Sequence, residues 1–133
     1  MKQKMLDQMA DVTEALYLQE HAKVKPVLDA EARVRGQLTK LDQQIKDSRD
    51  LASSDHAMKA LGADLLWQGW HTRARRELNM ELAQITAQKL RAMDNLRKAF
   101  GRKHAVETMA IEERLRIKKD KAQKLHNRLM NMD

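Results

Sequence analysis

The chain is 133 residues long, carries a net charge of +7, and is 42% hydrophobic and 34% charged, with one proline, four glycines and no cysteine. These figures confine it to a single domain, exclude disulfides, thiolate metal sites and cysteine nucleophiles, and are too apolar for a disordered tail. With only Tyr17, Trp67, Trp70 and Phe100 as aromatics there is no material for a thick globular core. So sparing a use of turn-formers, in a chain rich in Ala, Leu, Met, Lys, Arg, Gln and Glu, predicts long helices.

The first residues, MKQKMLDQMADVTEALYLQE, place a charge or an amide every few positions and do not form a secretory signal. Nowhere does an apolar run approach the roughly 20 residues of a membrane span, so a soluble, cytoplasmic protein is expected, with no membrane insertion.

Helix one is predicted over about 1–50. Val24, Val27, Val34, Leu38, Leu41, Ile45 and Ser48 recur at the three-and-four spacing of one helical face, with Glu31 the only charged intruder. Met5, Met9, Val12 and Leu16 continue a stripe in a shifted frame. The shift falls around Pro26, where a lost hydrogen bond and a steric clash predict a kink or a short break.

The only convincing turn is predicted at about 51–56, where Ser53, Ser54 or Asp55 would cap helix two. Helix two then spans about 57–130. Its approximate seam is Leu61, Leu65, Leu78, Leu82, Ile85, Met93, Leu96, Phe100, Val106 and Ala110, extended by Ile117, Leu125 and Leu129. One turn between two long helices predicts an all-α fold, an elongated antiparallel two-helix coiled-coil hairpin with a longer second helix. Folding it about residues 53–54 sets Leu61 near Ile45, Leu65 near Leu41, Leu82 near Val24, and Trp70 near Gly36. Residues after about 106 then outrun helix one, leaving a basic C-terminal overhang over about 107–133.

Charge follows the same division. Residues 1–72 hold 10 Lys and Arg against 11 Asp and Glu, whereas residues 73–133 hold 16 against 8, so the second half carries the whole excess. An acidic partner is implied. The densest run is Arg114, Arg116, Lys118, Lys119, Lys121, Lys124 and Arg128, interleaved with Glu112, Glu113 and Asp120 as partial partners. Interleaved acids and the lack of aromatics after Phe100 favour a solvated or protein-facing helix over a nucleic-acid footprint. The segment WQGWHTRARR contributes a second candidate contact, Trp67 and Trp70 with Arg73 and Arg76, since Trp and Arg are enriched at interface hot spots. Trp70 is expected to pack in the seam, Trp67 to stand partly exposed, and His71 to face solvent. Met5, Met9 and Met93 are assigned to the seam.

Chemistry is poorly signalled. His21, His56, His71, His104 and His126 form no pair at the spacing that sets two ligands on one helical face. Glu112 and Glu113 are adjacent and project apart, and no glycine-rich phosphate loop is present. The reading is non-enzymatic, with no small-molecule substrate, cofactor or metal.

In layout the chain resembles the central-stalk proteins of type III secretion export, the FliJ/YscO group of flagella and injectisomes. The seam Val24–Ile45, the turn Asp50–Asp55, and the seam Leu78–Phe100 running into the charged tail from Arg102 carry the resemblance. It implies a coil like that of the rotary-ATPase γ subunit, which couples a hexameric export ATPase to the export gate. By resemblance, Met1–Val12 with Arg97–Leu129 would face the ATPase ring, and Trp67 and Trp70 the gate. Other readings of the same features are a basic helical protein associated with nucleic acid, or a coiled-coil chaperone or adaptor.

Overall fold

A computed structural model describes residues 1–54 and 62–132. Within them the chain is all-α: α1 (Lys2–Ser54, 53 residues) and α2 (Ala63–Met130, 68 residues), paired as a helical hairpin with the longer helix second. None of the described helices is long and apolar enough to cross a membrane. The chain divides into two compact units, Val24–Arg91 and Met1–Lys23 with Ala92–Asp133.

In the Val24–Arg91 unit the expected stripe of α1 does turn inward. Val34 and Leu41 are buried, and Val24, Val27, Leu38, Ile45 and Ser48 are half-buried. From α2, Ile85 is buried and Ala74, Leu78 and Leu82 are half-buried. Glu31, the charged intruder of the stripe, receives Lys89 Nζ at 3.2 Å on each carboxylate oxygen. Two charged side chains in a thin seam thus satisfy one another, and such a pair also favours one alignment of the helices over others. Arg33–Glu81 at 3.2 Å and Arg75–Asp42 at 3.1 Å border the seam.

The other unit corrects the sequence reading. Its inward face on α1 is Leu6, which is buried, with Gln3, Ala10, Thr13, Tyr17 and Glu20 half-buried, while Met5, Met9, Val12 and Leu16 are exposed. No shift of frame occurs at Pro26, because α1 runs through the proline without a break. Ala22, whose carbonyl loses its donor, and Pro26 itself are both exposed, so water can replace the missing bond. With the helix uninterrupted, the frame of Val24–Ser48 carries back to Gln3, and a more apolar stripe is left outside. On α2 the seam is Leu96, Ala99, Lys103, Val106, Ala110 and Glu113; Met93 is half-buried as expected, whereas Phe100 is exposed one position off the seam.

Alignment differs from the expectation as well. The paired residues Arg33–Glu81, Arg75–Asp42, Lys89–Glu31 and Trp67–Ser48 have sequence midpoints between 57 and 60, not at 53–54. Opposed residues therefore move by about ten positions. Trp70 does not meet Gly36, where an added Cβ would touch nothing within 4 Å. Leu65 is exposed instead of facing Leu41.

Ser53 and Ser54 belong to α1 rather than to a turn, and Asp55 and Leu61 lie outside the described residues. The residue before α2 is Gly62, at φ +70°, a conformation that glycine adopts without the Cβ penalty. Its carbonyl accepts the N–H of Leu66 at 3.4 Å and so opens the helix.

Candidate functional site

Trp67 and Trp70 lie on the first turns of α2. Three residues apart, they share a face. Their rings stack, with centroids 5.4 Å apart and planes 14° from parallel. The expectation that one indole packs and the other is exposed is not met: Trp67 is 45% and Trp70 48% accessible. Two helices cannot enclose two indoles, so each covers the other instead. Trp67 Nε1 donates to Ser48 Oγ at 2.6 Å, which ties the pair to α1. Arg73 and Arg76 are exposed and make no ion pair among the described residues, whereas Arg75 between them is held by Asp42.

His71 occupies the seam position expected of an apolar residue. It is 4% accessible, not solvent-facing as expected, and meets Trp67 and Trp70 edge-on at 4.6 and 5.0 Å. Among the described residues neither ring nitrogen has a hydrogen-bond partner. The signal was available: Leu78 and Ile85 fall seven and fourteen residues beyond His71, so one seam spacing contains all three. Beside it runs a groove of about 470 Å³ that includes Lys46, Arg49 and Gln68 in its lining.

The basic segment lies in the other unit and is less free than it reads. Arg114 donates to Asp7 at 2.7 Å across the helices. Arg116 makes two bonds to Glu113, at 2.7 and 3.1 Å, and a third to Asp120 at 2.9 Å. Glu113 is 5% accessible and also meets Lys2 at 3.7 Å, while Glu112 beside it is exposed, as adjacent helical residues must diverge. The hydrogen bond from Arg116 holds the Glu113 carboxyl below its ordinary pKa and raises that of the guanidinium.

Because Ala110 and Glu113 are buried and Ile117 half-buried, the overhang begins near Lys118 and not at 107. The change of alignment by about ten residues accounts for a delay of about the same length. From Lys118 to Met132 every residue is exposed. Lys118, Lys119 and Lys121 make no ion pair among the described residues. Leu125 and Leu129 do not extend the seam, since the positions in frame with Ile117 are Asp120, Lys124, Asn127 and Asn131.

Trp67, Trp70, Arg73 and Arg76 thus all belong to the Val24–Arg91 unit, where the nine-residue step from Trp67 sets Arg76 on the opposite side of α2, and Arg114, Arg116, Lys118, Lys119 and Lys121 belong to the other unit, spread around the helix. Among the described residues no group of His, Cys, Asp or Glu stands together in a way that could hold a metal ion. No protein-family model, curated protein or solved structure matches the chain.

Proposed function

We propose that the protein is a non-enzymatic, cytoplasmic coupling stalk of a type III export apparatus, joining a hexameric export ATPase to the export gate. The observation that carries the reading is the stretch of α2 from Lys118 onward, helical and basic, on which nothing packs among the described residues. Such a segment offers exposed cations to an acidic docking site, and electrostatics of this kind sets encounter and orientation. The stacked indoles, with Arg73 one turn beyond Trp70, supply a separate contact for the gate. Paired long helices suit a part that links two assemblies, since neighbouring turns brace one another along the seam.

The test is co-purification with a hexameric export ATPase. Truncation after Ile117 is expected to leave the hairpin folded and to abolish the complex. Loss of the complex only on substitution of Trp67 and Trp70, with the truncated chain still bound, would overturn the assignment of the two contacts.

The free Lys118, Lys119 and Lys121 keep a second reading in view, association with nucleic acid. Phosphate-dominated binding loses affinity with salt at a slope near −0.9 per neutralised phosphate. Tight duplex binding that persists at physiological salt would favour it over the stalk.

A further inference from the structure

The exposed end of α2 is more than a charged rod. Ile111, Leu115, Leu125 and Leu129 are all more than half exposed. At about 100° per residue they fall, with Ala122, within an arc of roughly 80°. This arc is turned well away from the seam line of Val106, Ala110 and Glu113, so it is not a face awaiting more of α1. It starts at Ile111, where α2 is still paired, and continues through the unpaired segment.

Cations surround the stripe. Lys119 lies on one edge and Lys121 and Arg128 on the other, and Lys118 takes the central position between Leu115 and Ala122. None of these four makes an ion pair among the described residues, and Asp120, between Lys119 and Lys121 in sequence, is held by Arg116.

We propose that this face docks, as a helix, into an apolar groove rimmed by carboxylates on an acidic protein. Leu115, Leu125 and Leu129 are the anchors, and Lys118 reaches a carboxylate within the groove. Charge complementarity selects this occupant. Pairing with the same segment of a second copy would set cations against cations. A lipid surface would have to accommodate Lys118 in the middle of the apolar arc, and the segment has no aromatic residue to sit at the headgroups. Basic amphipathic helices with anchors at these spacings bind by this mode.

The inference specifies the chemistry of the tail's partner and does not depend on that partner being an export ATPase. Calcium-loaded calmodulin, an acidic protein with an apolar groove, is a suitable probe for the full-length chain by isothermal titration calorimetry. Binding is expected, and Leu125→Gln with Leu129→Gln should weaken it at least about tenfold, as loss of two anchors does. Both positions are exposed, so the helix should persist, which circular dichroism checks. Lys118→Gln should weaken binding more than Lys124→Gln, because only Lys118 lies within the stripe.

Absence of binding, or binding that tolerates the leucine substitutions and follows total charge alone, would overturn the proposal. Tighter, leucine-dependent binding to phosphatidylserine vesicles would overturn it too and give the face to a membrane surface. An export-ATPase complex that survives the leucine substitutions would refute the groove while leaving the stalk reading intact.

Discussion

Each unit buries one polar side chain among its best-covered residues, and the two are treated in opposite ways. In the unit built from both ends of the chain, Glu113 is received by Arg116 and Lys2. In the Val24–Arg91 unit, His71 is equally covered, yet neither of its nitrogens has a partner among the described residues and its ring meets those of Trp67 and Trp70 at a steep angle. A buried polar group costs stability unless it is bonded, so one site contributes to the fold and the other burdens it. The aliphatic content differs too: Val34, Leu41 and Ile85 in one unit, against Leu6 with Ala99, Val106 and Ala110 in the other. The difference teaches that burial alone does not tell whether a seam position stabilises.

The sharpest test is to remove the aliphatic packing. Leu41→Ala should destabilise the protein by roughly 2–3 kcal/mol in urea unfolding, and Leu6→Ala by a similar amount, whereas Met9→Ala should stay within about 0.5 kcal/mol. A Met9→Ala cost as large as that of Leu6→Ala would return the Met5–Leu16 stripe to the seam.

Next in size is the imidazole. His71→Leu keeps an apolar shape of comparable reach and removes two unbonded nitrogens, so it should raise stability by about 1 kcal/mol. Glu113→Gln should lower it, because the ionic bonds of Arg116 and Lys2 are lost. Destabilisation by His71→Leu would show that the imidazole has a bonded role in solution and would erase the contrast.

Acid should separate the two sites further. The carboxyl of Glu113 has a folded pKa below its unfolded value, near 4.3 for an ordinary glutamate. Its contribution is therefore fully present above that value and is lost as pH falls through the depressed folded pKa. Thermal midpoints of the native chain should drop as pH is lowered from about 5 to 3, and the Glu113→Gln chain should lack that share of the drop.

The smallest effect is expected at the indoles. Trp70→Ala removes a half-exposed ring and one stacking contact, about 1 kcal/mol at most. Acrylamide should quench single-tryptophan variants at 67 and 70 alike. Protection of Trp70 alone would mean that it packs in the seam after all.

Much of this was legible in residue spacing. The inward stripe of Val24 to Ser48 follows from the periodicity of a helix, which places every third and fourth residue on one side whatever it later meets. The same rule located Leu78, Leu82, Ile85, Val106 and Ala110, and the isolated character of Glu112 beside Glu113. His71 was legible in principle, since it keeps step with Leu78 and Ile85, but a polar residue in an apolar frame is easily passed over. Between the two stripes at the start of α1, spacing could not choose. Met5, Met9, Val12 and Leu16 satisfy it as well as Gln3, Leu6, Ala10, Thr13 and Tyr17 do, and they are the more apolar set.

Residue order alone establishes the class of the molecule: two long helices, the second longer and basic at its end, because propensity, periodicity and the rarity of turn residues are local properties. Only the tertiary structure decided which face of α1 near its start is buried and which residues stand opposite one another. A seam with a seven-residue repeat matches itself nearly as well after a shift of a repeat or more, so hydrophobic spacing leaves the alignment open. Pairs distant in the chain resolve it: Glu31 with Lys89, Asp7 with Arg114, and Ser48 with Trp67. Through that alignment the structure also decided where α2 begins to run alone, at Lys118, and hence which cations have no ion-pair partner among the described residues.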